Sequence, residues 1–241
     1  SPACKGRMGD PRAELQSVLT RLRANPVQVT YRDGSTGEEV TETMTADHVA
    51  GLVRMYSYMP AAGALLPQLI HEASQGRYAN LMALAKMMQS DMQDAMSMGM
   101  QMSVICTEDA ASMVTRAEDA DTVLGNRMVE AMAAMCQAWP KGDKPADFNT
   151  PLKGDLPVLV LTGEFDPVTP PRYGEQIANT GLPNARWLNL KGQGHNVIGA
   201  GCMPKLFAQF IEKADAKALD AKCLDKLAYV PPFTSNNGWE P

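Results

Sequence analysis

The run Val158-Leu159-Val160-Leu161, bounded by Pro157 and Gly163, constrains the fold of this chain more than any other stretch of its 241 residues. A strand with one face in water alternates apolar and polar residues. An unbroken apolar run fits a strand covered on both faces, as in a parallel sheet. A helix is predicted next, over about 171–179 and stopped by Gly181, and then a second strand over about 185–190, which together make a βαβ unit. A further helix over about 203–213 carries Leu206, Phe207, Phe210 and Ile211 on one side, and the tail from Pro231 onward is irregular. Two parallel strands cannot hide both faces of a sheet by themselves. Either the rest of the chain covers them or further strands lie outside this sequence.

Upstream the pattern is helical. Asp10-Pro11 before Leu15, Val18, Leu19 and Leu22 predicts a capped, proline-initiated helix that ends at Asn25-Pro26. Val27, Val29 and Tyr31 then alternate with polar residues, pass through Asp33-Gly34 and return through Val40 to Met44 as a small hairpin. Thr45 can cap a helix bearing Val49, Leu52, Val53 and Tyr56, and Leu65, Leu66, Leu69, Ile70 and Ala73 form the next, closed by Gly76. A methionine-rich helical run starts near Arg77, and an apolar stripe through Val123, Met128, Val129, Met132 and Met135 predicts another helix between about 122 and 139. The stretch 139–155, rich in Pro, Gly and Asp, separates this layer from the strands. The reading is an α/β chain: a mostly helical region with a hairpin over 1–145, and a region of parallel strands over 146–241.

Composition excludes several function classes. A net charge of -5, with Lys and Arg not gathered into a run, argues against a nucleic-acid partner. No stretch reaches the ~18–20 apolar residues of a membrane span, and the N-terminus lacks the basic and apolar regions of a signal peptide, as in a mature or trimmed chain. Cysteines stand at Cys4, Cys106, Cys136, Cys202 and Cys223, with no CxxC pair and no Cys/His cluster, so no metal site is predicted. Spacing allows Cys202 to pair with Cys223 across a helical segment, and Cys106 with Cys136. Buried free thiols of a reducing compartment are the other reading that spacing leaves open, and an odd Cys4 points to a partner outside the chain. Met82, Met87, Met88, Met92, Met96, Met98, Met100 and Met102 have only Cys106 near them as a companion ligand and read as adaptable core or pocket lining. His48 and His71 have no partner identifiable in the sequence and read as structural.

Asp166 stands five residues after Leu161, in Gly163-Glu164-Phe165-Asp166-Pro167-Val168-Thr169-Pro170-Pro171, and His195 stands in Gly192-Gln193-Gly194-His195-Asn196 after the next strand. Both fall on loops at the C-terminal ends of parallel strands, the edge where open α/β sheets gather ligands and catalytic groups. A carboxylate accepting from one imidazole nitrogen fixes the tautomer and stabilises the imidazolium formed when the other nitrogen takes a proton from a nucleophile. Asp166 alone could be a turn residue and His195 a loop histidine; on successive strand ends they read as an acid and base pair. In hydrolases of this order a serine precedes them. The nearest internal match, Ala95-Met96-Ser97-Met98-Gly99, has no strand before it, so the strained turn that presents such a serine is not predicted; Gly34-Ser35-Thr36-Gly37 reads as a hairpin turn.

Leu156 to Pro171, Gly192 to Asn196, Gly201-Cys202, Phe207-Ala208-Gln209-Phe210-Ile211 and Cys223-Leu224 together resemble the C-terminal TAP-like region of secreted bacterial tripeptidyl aminopeptidases. Ser103-Val104-Ile105-Cys106-Thr107-Glu108-Asp109 is similar to the segment closing the lid of that family. The resemblance implies the C-terminal part of an α/β-hydrolase fold, its two parallel strands and helices accompanied by a mostly helical lid. It also implies a serine exopeptidase that takes short peptides or residues from free N-termini, in a secreted or periplasmic setting and without a cofactor. By the same resemblance Asp166 and His195 match the triad acid and base, and Cys202 with Cys223 a disulfide. The nucleophile elbow G-x-S-x-G and the oxyanion-hole loop are then expected from an upstream part of the same hydrolase. Glu108 and Asp109 are candidates to pair with the ammonium of a peptide substrate, or else cap the helix that follows. An esterase or lipase on the same machinery, and a non-catalytic interaction fragment, are the rival functions.

Overall fold

The structure, a computed structural model, describes residues 6–235 and 237–239; the side chains of 91–95, Met92 among them, and Cys4 lie outside the described residues. In chain order the elements are α1 (Pro11–Ala24), β1 (Val27–Arg32), β2 (Glu39–Met44), α2 (Ala46–Tyr56), α3 (Pro60–Gly63), α4 (Leu66–Ser74), α5 (Ala79–Ala95), α6 (Met98–Glu108), α7 (Arg127–Ala138), β3 (Val158–Gly163), α8 (Pro171–Asn179), β4 (Ala185–Leu190) and α9 (Met203–Lys213). They form two compact units. One holds the described residues up to Leu52 together with Leu69–Asn149; the other joins Val53–Gln68 to the described residues from Thr150 onward.

In the first unit Asp10 caps α1, its carboxylate accepting from the N–H groups of Arg12 at 3.0 Å and Ala13 at 3.3 Å, and Val18, Leu19 and Leu22 are the buried stripe. The hairpin pairs Val27 with Met44 through Arg32 with Glu39, and its turn is closed by Asp33, whose carboxylate accepts from Ser35 and Thr36. Val29, Tyr31 and Met44 are buried. The two histidines whose partners the sequence does not disclose have them here. His48 Nδ1 lies 3.1 Å from the Thr45 N–H at the start of α2, and burial, helped by Lys86, holds its pKa below the ordinary histidine value, as suits an acceptor. His71 in α4 bonds Glu14 of α1 at 3.0 Å and Gln75 at 2.7 Å.

Two helical expectations are revised. The methionine-rich run is two helices rather than one, because Met96 adopts an extended backbone (ψ 130°) and Ser97 starts α6. Met82 and Met102 are core residues, but Met98 and Met100 are 54% and 70% exposed and line no core. The helix expected from about 122 begins at Arg127. Gly125 sits in the left-handed region at φ +56°, and the Asn126 side chain both accepts from the Arg116 N–H and donates to the Arg116 carbonyl, which fixes the chain in a non-helical course up to that point. Cys106 and Cys136 are bonded across α6 and α7.

In the second unit β3 and β4 pair in parallel, Val158 with Ala185 through Gly163 with Leu190. On one face Leu159, Leu161 and Leu188 pack against a cluster of Leu190, Val197, Met203 and Leu206, which places α9 there. On the other, α8 approaches closely enough that a Cβ on Gly174 would lie 2.5 Å from Thr162 Cγ2 and 3.1 Å from Val160 Cγ1. Val158 through Leu161 are only half-buried, where the sequence pattern predicts full cover. Neither outer edge of this sheet carries a strand among the described residues, so side chains beside those edges keep access to solvent. Cys202, just before α9, is bonded to Cys223.

Candidate active site

Beyond Gly163 the chain turns at once: the Asp166 N–H donates back to the Gly163 carbonyl at 3.1 Å. The Asp166 carboxylate then organises the loop. One oxygen accepts from the N–H groups of Val168 at 2.8 Å and Thr169 at 2.9 Å, a turn favoured by Pro167, which fixes its own φ. The other accepts from the Thr169 hydroxyl at 2.8 Å and from His195 Nδ1 at 2.9 Å. Four donors surround a side chain that is 4% exposed. Burial pushes its pKa up, but the bonds from the Thr169 N–H, His195, the Val168 N–H and the Thr169 hydroxyl together outweigh it and hold the carboxyl below its ordinary value.

The loop after β4 is set by close backbone approach. A Cβ on Gly163 would lie 2.0 Å from the Gly194 carbonyl oxygen, and one on Gly194 would lie 2.2 Å from the Tyr58 carbonyl oxygen, so both positions need glycine for want of space. The His195 N–H donates to that Tyr58 carbonyl at 2.8 Å, and the two rings stand 5.5 Å apart, tilted by 58°. Asn196 leaves the loop at φ +64°, a conformation asparagine tolerates better than most residues. His195 is therefore fixed through its backbone by Tyr58 and through Nδ1 by Asp166, while its side chain stays 39% exposed. With Nδ1–H donating to Asp166, Nε2 is the nitrogen able to take a proton from a group outside.

The structure brings Asp166 and His195 together and adds Thr169 and Tyr58, which the sequence reading did not single out. Thr169 had a readable signal, since Asp-x-x-Thr is the spacing of a side-chain-closed turn. Tyr58 had none: it acts through its carbonyl, from a segment far upstream. The other candidates lie elsewhere. Glu108 is the last residue of α6 and Asp109 its C-cap, in the first unit. The Asp109 side chain makes no capping bond to the short 3-10 turn after it, while Lys144 donates to the Glu108 carbonyl at 2.7 Å. Ser97 is exposed at the N-cap of α6, also in the first unit, and stands on no strand-to-helix turn.

Residues 121–223 match a family model described as TAP-like protein, a family of α/β-hydrolases. The matched stretch contains β3, β4, Asp166 and His195 and ends on Cys223, and it supports reading this part of the chain as the C-terminal region of a TAP-like α/β-hydrolase. No curated protein and no solved structure matches the chain. Among the described residues no helix is long and apolar enough to cross a membrane.

Proposed function

We propose that this chain supplies the acid, the base and the lid of a serine hydrolase, an exopeptidase that releases short peptides or residues from free N-termini. The observation that carries the reading is the Asp166–His195 bond of 2.9 Å on successive parallel strand ends, within the stretch that matches the TAP-like family. A loop that served structure alone would have no need of a buried carboxylate satisfied by three local donors and turned with its fourth site onto a half-exposed imidazole.

In this mechanism Asp166 holds Nδ1–H and the ring orientation. Nε2 takes the proton of a serine hydroxyl as the oxygen attacks the scissile carbonyl, and the imidazolium, stabilised by Asp166, returns that proton to the leaving amine. Water then enters by the same route and frees the acyl group. The serine and its oxyanion hole come from an upstream part of the same hydrolase. The half-buried β3 run and the open sheet edge suit a neighbouring strand from that part. The region 1–145 is the lid and 146–241 the core, with Val53–Gln68 passing into the core unit. Glu108 and Asp109 pair with the substrate ammonium: carboxylates at the C-terminal end of α6 oppose the helix dipole, a local cost that a functional role would explain. The two disulfides fit a secreted or periplasmic protein.

Fluorophosphonate labelling read by intact mass tests this. The chain alone should gain no adduct; combined with its upstream part, the adduct should fall on that part and be lost in His195→Gln. An adduct on this chain alone, removed by Ser97→Ala, would refute it. Glu108→Gln separates peptidase from esterase: only for a peptidase should it raise KM for peptides with a free amine and leave N-acetylated peptides and esters untouched.

A further inference from the structure

We infer that Glu164 is a positioning residue that locks the His195 loop onto the Asp166 loop, with Tyr229 of the C-terminal tail as its brace; the inference rests on the reading of Asp166 and His195 as acid and base. The parallel ladder ends at the pair Gly163 and Leu190. Past that point the two loops leave the sheet, and the registration of Asp166 against His195 needs another source. The backbone gives two bonds: the Glu164 N–H donates to Leu190 at 3.0 Å and the Phe165 N–H to Gln193 at 2.9 Å. The Glu164 side chain gives the rest. One carboxylate oxygen accepts the Gly192 N–H at 2.7 Å and the other accepts the Tyr229 hydroxyl at 3.1 Å.

Gly192 is where the second loop departs. At φ +68° its N–H has left the direction of the ladder, and Glu164 is the acceptor that satisfies it. The tail closes over the same residue: a Cβ on Gly192 would lie 3.0 Å from the Tyr229 ring and 3.2 Å from the Ala228 carbonyl. Tyr229 is itself held, its ring stacked on Phe165 at 5.6 Å between centroids and covered by Lys191 Nζ at 5.0 Å. Its phenol is pushed above the ordinary tyrosine value, first by the bond to Glu164, and so remains a donor. Glu164 stands two residues before Asp166, and Gly192 three before His195. One side chain thus spans both loops near their functional ends, and because the Glu164 carboxylate bonds Gly192 and Tyr229 rather than Asp166 or His195 its role is to hold the loops in register.

The test reads the His195 Nδ1 proton directly. In the full chain labelled with 15N-histidine and 15N-tryptophan only three imidazoles report, and His195→Gln assigns the third. The wild-type protein should show a downfield Nδ1–H signal from His195 that Asp166→Asn removes. Glu164→Ala should speed its exchange with solvent by about tenfold or more, as expected when a charge-assisted bond is lost. Glu164→Gln should keep it, since the amide oxygen can accept from Gly192 while its NH2 donates to the Tyr229 oxygen. Tyr229→Phe should fall between. The Trp187 indole N–H, bonded to the Thr162 hydroxyl at 2.8 Å in the same unit, reports folding and should not move. An unchanged His195 signal in Glu164→Ala overturns the inference and leaves the acid and base reading intact. A wild-type protein without the signal overturns both. If Glu164→Ala also loses the Trp187 signal, Tyr229→Phe decides, and exchange equal to wild type in that variant overturns the inference.

Discussion

Asp166 carries two loads, and they can be separated by pH. Its folded pKa lies below the ordinary carboxyl value, so the stability it contributes is present above about pH 4, where the unfolded carboxyl ionises, and is lost as pH falls through the lower folded value. Asparagine cannot ionise, and its NH2 would face a donor. Asp166→Asn should therefore cost about 1–3 kcal/mol near pH 7, and the gap to wild type should narrow as pH drops below about 4. Urea midpoints across that range check this, and a gap independent of pH would show that the carboxylate is not the stabilising form. Gly194→Ala tests the backbone approach, because the new Cβ would sit 2.2 Å from the Tyr58 oxygen; the expected loss is about 2–4 kcal/mol in urea unfolding. That Asp166 and His195 would meet was legible because a βαβ pattern fixes which ends of its strands face the same edge. Tyr58 was not, because a backbone carbonyl leaves no mark on the sequence.

Elements were legible where local chemistry decides them and illegible where a distant partner does. The N-capped α1, the hairpin turn at Asp33 and the proline-initiated α8 follow from residues within one turn of each boundary. The start of α7 does not, since it depends on Asn126 reaching back to Arg116, and neither does the break at Met96, in a run whose composition favours a continuous helix. Between α6 and α7 the structure spends several ties on one junction. Beside the Cys106–Cys136 bond, Trp139 donates to the Ser103 hydroxyl at 3.1 Å and Gly142 to the Thr107 hydroxyl at 2.9 Å. The bridged cysteines are 30 residues apart here and 21 apart for Cys202–Cys223. Loop-closure entropy over such spans predicts a loss of roughly 3–4 kcal/mol when either pair is replaced by alanine. Urea unfolding of each double variant checks this, and a loss under about 1 kcal/mol for Cys106/Cys136 would mean that the side-chain ties suffice without the covalent one.

At the scale of the molecule, the sequence draws one division near residue 145, while packing sends Val53–Gln68 to the unit that holds β3 and β4. Two bonds make that assignment concrete: the His195 N–H on the Tyr58 carbonyl at 2.8 Å, and the Phe233 N–H on the Ala64 carbonyl at 2.8 Å. Residues 140–157 are exposed throughout and contain neither helix nor strand, which makes them the first target of a protease. Trypsin should cut after Lys141 or Lys153 and spare Lys144, which precedes Pro145. If the segment 53–68 belongs with the strands, the nicked chain should travel as one species on native size exclusion, although its mass spectrum shows two pieces, and the pieces should part in strong denaturant. No described disulfide joins them, since each bridge lies on one side of the cut. Two species in native buffer would mean that the strands hold themselves together without Tyr58, and the backbone support for the His195 loop would then have to come from the Glu164 and Phe165 N–H groups, which donate to Leu190 and Gln193.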